Sequence, residues 1–178
     1  MTNTRKQMDN SIDVVVDEPL WDFIDLSVIA TEAFGVIATE LSLKNGPYEF
    51  SILACNDARI AQLNAEFRAK PTPTNVLSWP GFDLASGNDG GTPDAPPNTS
   101  AGDPFVNIGD IAISYETCLQ EARVGAIDPQ QHITHLLIHG MLHLLGYDHE
   151  TDADAGVMET LEVKLLKTMG IGNPYQNV

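Results

Sequence analysis

The segment "DPQQHITHLLIHGMLHLLG", Asp128 to Gly146, leaves little freedom in how this chain can fold. Asp128 stands where a side chain can cap a helix, and Pro129 takes the first helical position, where a missing N–H costs nothing. From Ile133 to Leu145 apolar side chains fall nearly all round the helical wheel and not along one stripe. Such a helix cannot lie on a surface. It needs packing partners on several sides, so the rest of the chain must build layers around it.

The remaining sequence offers those layers. "SIDVVVDE", Ser11 to Glu18, predicts a first strand, and "YEFSILAC" alternates as a second. Between them, apolar residues at helical spacing predict a helix from about Trp21 to Leu43, with Glu32 and Glu40 on its polar side and "KNGP" as its stop. Asn56 or Asp57 caps a second helix reaching about Phe67. Two prolines then break the chain before a brief strand, Val76 to Trp79, and Phe105 to Ser114 reads as a longer strand. "YETCLQEARVG" is a helix closing at Gly125. In the last helix, Val157, Met158, Leu161, Leu165 and Met169 form a stripe and Gly170 is the cap.

The 178 residues, 43% of them hydrophobic, suffice for one core. The expectation is a single α+β domain over 1–178. One small mixed sheet of about four strands packs with about five helices, and the central buried helix carries two metal ligands. Residues 81–104, rich in Gly, Pro, Ser, Asn and Asp, are expected to form a long mobile loop inserted in that domain.

His139 and His143 are four residues apart, so a helix presents both imidazoles to one point. Gly146 lets the chain turn back, and "YD" then delivers His149. Three nitrogens with an open fourth position make the catalytic kind of zinc site. The spacing resembles the long zinc-peptidase signature H-E-x-x-H-x-x-G-x-x-H, but Gly140 stands where the glutamate base belongs. His135 is expected near the cleft or against the ligands, and His132 on the surface. Asp148 and Glu150 flank His149 as candidates to orient an imidazole. Cys55 and Cys118, with no CxxC spacing, are expected as buried reduced thiols.

Charge bears on partners. With 25 acidic and 9 basic residues the net charge is −16, and no Lys or Arg occurs between Lys70 and Arg123. Taken alone, that argues against a broad nucleic-acid face; any such contact has to be local, through a few cations or a metal. No run reaches the roughly 18 to 20 apolar residues of a membrane span, and the polar opening "MTNTRKQMDN" leads into no apolar h-region. A cytoplasmic protein without membrane contact is the expectation.

Four stretches resemble the YbeY family of bacterial rRNA maturation factors: "LNAEFRAKPTPTNVLSWP", "GDIAIS", "HLLIHGMLHLLGYDH" and "METLEVKLLKTMGIGNPY". They run in family order from about Leu63 to Gly170, interrupted by the long loop. Trp79 departs from the usual phenylalanine, and the 81–104 region is longer than typical. The resemblance implies a metal-dependent, single-strand-specific endoribonuclease acting in 16S rRNA 3′ end maturation and ribosome quality control. It implies one zinc ion per chain on His139, His143 and His149, with Arg68 as the functional arginine. The implied partners are rRNA and the ribosome or its small-subunit proteins. On the residues alone Arg68 is a solvated charge at a helix end. Two other readings stand beside this one: a zinc peptidase, and a metal-stabilised ribosome-associated factor with little catalysis of its own.

Overall fold

A computed structural model describes residues 9–99 and 102–176. The strands are β1 (Ser11–Val16), β2 (Tyr48–Cys55), β3 (Val76–Pro80) and β4 (Val106–Ser114). The helices are α1 (Leu26–Glu40), α2 (Asp57–Arg68), α3 (Tyr115–Val124), α4 (Pro129–Leu144) and α5 (Asp152–Thr168). The sheet order is β1-β2-β4-β3, with the β1–β2 and β2–β4 pairings parallel and β3 antiparallel to β4 at one edge. This is the mixed four-strand, five-helix α+β fold that the patterning predicts.

The all-round apolar helix is α4, and it lies where that pattern requires. Nine of its sixteen residues are buried, among them Ile133, Leu137, Ile138 and Met141. They pack against Ile111 and Ile113 of β4, Phe34 and Ile37 of α1, and Met158 and Leu165 of α5 in one core. The Asp128 carboxylate accepts from Gln131 N–H, and Pro129 is the first residue of the helix. A smaller cluster on the opposite sheet face joins Ile60 of α2 to Cys55, Leu77 and Ala112, with Trp79 over it.

The predicted helix from Trp21 to Leu43 needs correction. Pro19–Phe23 is a 3-10 turn, Ile24 is extended, and α1 begins only after Asp25, whose carboxylate accepts from Val28 N–H. Trp21 still reaches the core, donating its indole N–H to the Cys55 carbonyl at 2.9 Å. The second helix runs to Arg68, one residue past its expected end. Cys55 and Cys118 are buried and free.

Within 81–104 no helix or strand occurs among the described residues, yet the segment is fastened to its surroundings. Leu84 is only 6% exposed. Gly90 N–H donates to Asp154 at 2.7 Å, and the Asn45 amide donates to the Pro96 carbonyl at 2.5 Å. Among the described residues no helix is long and apolar enough to cross a membrane.

Candidate metal centre

The site begins with how α4 ends. Gly146 takes φ +87°, a conformation that only glycine adopts cheaply. Its N–H bonds to the His143 carbonyl at 3.0 Å, and Tyr147 N–H bonds to the Leu142 carbonyl at 3.1 Å. This paired closure stops the helix and turns the chain back. A Cβ on Gly146 would come within 2.7–2.8 Å of Leu84 backbone and side-chain atoms, so the turn is seated against the start of the 81–104 segment. The reversal returns His149 to the face that carries His139 and His143.

One nitrogen from each of the three histidines lies within 4.8 Å of the others. The rings of His139 and His149 stack at 5.3 Å between centroids, while His143 stands nearly edge-on to His139 at 4.6 Å. Hydrogen bonds fix the tautomers. His143 Nδ1 meets the Tyr147 carbonyl at 2.9 Å, and a carbonyl only accepts, so Nδ1 carries the proton. His139 Nδ1 meets the Glu162 carboxylate at 2.7 Å and donates likewise. Both Nε2 lone pairs are therefore free, and they face each other at 3.0 Å. Two acceptors at that distance repel each other unless a cation lies between them. The donor set therefore fits a divalent metal ion, with the exposed His149 completing three imidazoles and leaving a further position open.

Glu162 is the residue that the sequence reading passed over. It lies on the apolar stripe of α5, four residues after Met158 and three before Leu165, and is 0% exposed. A carboxylate on such a stripe is the signal that could have found it. The Tyr175 hydroxyl donates to its second oxygen, and His135 Nε2 stands 3.3 Å from that hydroxyl and 3.6 Å from the carboxylate. Burial by itself would raise the Glu162 pKa. The imidazoles of His135 and His139 and the Tyr175 hydroxyl outweigh it and hold the group at about 2, ionised throughout the working range. An ionised carboxylate on Nδ1–H fixes the His139 ring and makes its Nε2 a stronger donor to a metal. Glu162→Gln keeps the shape and removes the charge. Zinc affinity, read by competition with a chromophoric chelator, is expected to fall about 10-fold or more. Unchanged affinity would show that Glu162 does not tune the site.

Of the two roles open to the flanking acids, the solvated one fits better. Asp148 lies 3.9 Å from His143 Nδ1, whose proton goes instead to the Tyr147 carbonyl. Glu150 makes no hydrogen bond to an imidazole among the described residues. His132, expected on the surface, has a side chain only 12% exposed and meets Glu121 of α3 at 2.8 Å. His135 sits beside the Glu162 carboxylate, the place foreseen for it near the ligands.

Gly140 settles the fate of the peptidase pattern. It is buried against the sheet, where an added Cβ would sit 3.2 Å from both Ile111 Cδ1 and Ser78 Oγ. A glutamate there would point into packed strands and not toward the ligands. Arg68, at the exposed C-terminal end of α2, reaches the Ser78 carbonyl of β3 at 3.5 Å. The histidine cluster and the arginine thus meet the same edge strand, one through α4 and the other through α2.

Without metal, burial first and then the charges of His139 and His149 lower the His143 pKa from 6.5 to about 4. An unfolded chain takes up that proton near its ordinary pKa, and the folded chain only at the lower one. Stability of the metal-free protein is therefore lost as pH falls through that window, by up to about 3 kcal/mol. Chemical denaturation of chelator-treated protein at about pH 7 and about pH 4.5 reads this out, and equal midpoints would contradict it.

Comparison with known proteins adds a separate line. Residues 21–170 match the family model described as "Endoribonuclease YbeY". A Dinoroseobacter shibae protein of that name is 48% identical over 93% of this chain and 91% of its own. A Ruegeria protein of the same name is 51% identical over 92% and 95%. A solution structure from Thermotoga maritima, 17% identical, covers 93% of this chain and 99% of its own with a TM-score of 0.51, a likeness of fold alone.

Proposed function

The chain belongs to the YbeY endoribonuclease family, and from that premise we propose that it is a zinc-dependent, single-strand-specific endoribonuclease. The observation that carries the metal dependence is the pair of Nε2 lone pairs facing each other at 3.0 Å, with both Nδ1 protons committed elsewhere. His139, His143 and His149 hold the ion, and zinc suits three imidazoles. Bound there, it supplies Lewis acidity toward a phosphoryl oxygen.

The chain's own residues do the rest. Glu162 and the Tyr147 carbonyl keep two imidazoles in the ligating tautomer. Arg68 grips a phosphate through its planar fork, which suits a protein with few other cations. The helix carries no base at Gly140, and RNA tolerates that loss better than a peptide does, because each ribose brings its own nucleophile, the 2′-hydroxyl, and a phosphate oxygen beside it can take the proton. A peptide brings no such group, so the missing glutamate weighs against peptide hydrolysis far more than against RNA cleavage. In the cell the reading is a cytoplasmic, single-domain enzyme with an 81–104 insertion. Its substrate is rRNA, including the 3′ end of 16S rRNA, and it works in ribosome quality control beside the ribosome or its small-subunit proteins.

Purified protein with bound zinc is expected to cut a single-stranded oligoribonucleotide and to leave its duplex intact. Chelation and dialysis should stop the reaction, and zinc should restore it. Cleavage that persists in protein shown to hold no metal would sink the metal-dependent reading. Binding without turnover at any metal load would point to a ribosome-associated factor.

A further inference from the structure

Beside Arg68 the surface carries a feature that neither metal binding nor phosphate contact uses. Phe67, on the last turn of α2, is 62% exposed, and its ring meets Trp79 of β3 at 5.4 Å between centroids with planes 69° apart. Trp79 covers the small cluster of Cys55, Ile60, Leu77 and Ala112. Phe67 covers little and leaves a large aromatic surface in water. The local charge is also unusual. In a chain with nine basic and 25 acidic residues, α2 and the turn just after it carry three of the cations, Arg59, Arg68 and Lys70, against two acids, Asp57 and Glu66. The next residue after Trp79, Pro80, lines a cavity of about 400 Å³ together with Gly81, Leu84, His143 and Tyr147. One short edge strand thus touches the aromatic pair, the arginine and the histidine cleft.

We propose that Phe67 and Trp79 form a stacking platform for one unpaired base of the RNA, next to the phosphate held by Arg68. The inference rests on the endoribonuclease reading and names how single strands are selected. Aromatic faces bind a base of any identity, and cations beside them hold the backbone. In an A-form duplex each base is already stacked and paired, so the platform has nothing to receive. The platform lies on the sheet face opposite α4, so a strand anchored there passes round the edge at Pro80 to reach the cavity that His143 lines.

Two measurements on the zinc-loaded protein test this. The chain has two tryptophans, and Trp21 is 1% exposed, so a quenchable signal comes from Trp79. A single-stranded 2′-O-methyl oligoribonucleotide should quench that fluorescence, and its duplex should not. Phe67→Ala should raise KM for single-stranded RNA about 10-fold with kcat and thermal midpoint unchanged, and Phe67→Tyr should restore KM. RNA binding seen by anisotropy without quenching, or an unaltered KM in Phe67→Ala, would overturn the platform and leave the nuclease reading standing. A fall in kcat that follows lost stability would make Phe67 a structural residue and also overturn it. Neither binding nor cleavage of RNA by the unaltered protein would overturn both readings.

Discussion

His143→Ala is expected to bring zinc from stoichiometric to background and to cut RNA cleavage by more than about 100-fold, since losing an outer partner of a ligand alone costs about 10–100-fold. The variant removes one of two nitrogens that face each other at 3.0 Å, and nothing on α4 replaces it. It should still fold. His143 is a partly exposed residue at the rim, while the core around Leu137, Met141 and Ile111 is untouched. Metal content by atomic emission, cleavage and circular dichroism on one preparation separate loss of the ion from loss of structure. His132→Ala is the matched control, because that histidine belongs to Glu121 and not to the cluster. Full cleavage by metal-free His143→Ala would defeat the proposed site.

Restoring the peptidase signature with Gly140→Glu should be the most damaging single change to stability, at more than about 4 kcal/mol. The new Cβ would crowd Ile111 and Ser78 at 3.2 Å, and the carboxylate beyond it would be a charge inside the sheet–helix contact with no partner. Gly140→Ala separates the two causes. It adds only the Cβ, against side-chain ends that can shift, and gains about 1 kcal/mol in helix propensity. It is expected to stay within about 2 kcal/mol of the original. Urea midpoints on the three proteins decide the matter, and a stable, zinc-binding Gly140→Glu would show that α4 can stand off from the strands.

The comparison explains what could be read from the residues. The three-histidine cluster was legible because a helix and a glycine reversal are local, and spacing is enough to bring the imidazoles together. Asp128 and Pro129 announced the start of α4 for the same reason. Glu162 was not legible as a partner. Its place on the apolar stripe of α5 is visible, but its contact with His139 depends on how two helices pack, which spacing along one helix does not encode. The acids beside His149 drew attention as candidates by being adjacent, yet the His143 Nδ1 proton goes to the backbone carbonyl of Tyr147 and not to Asp148. His132 looked solvated because its partner lies on another helix. The break before α1 was hidden by apolar spacing that runs on through Ile24, although Asp25 caps the helix that follows. Strand order has no local signal either. β4 pairs with β2 on one side and with β3 on the other, although a helix and a strand separate it from β2 in sequence and a long loop separates it from β3.

The net charge of −16 pointed away from nucleic acid, and the family points to it. The two agree once contact is confined to a few cations and the metal. A surface of this charge repels polyanions, so non-specific RNA binding is expected to be weak.

The seat of Gly146 against Leu84 couples two parts of the molecule mechanically. An intervening side chain could slide or compress, whereas backbone in contact with backbone transmits displacement directly. A side chain placed on Gly146 would therefore press on the start of the long loop at Leu84 and displace the turn that carries the third histidine.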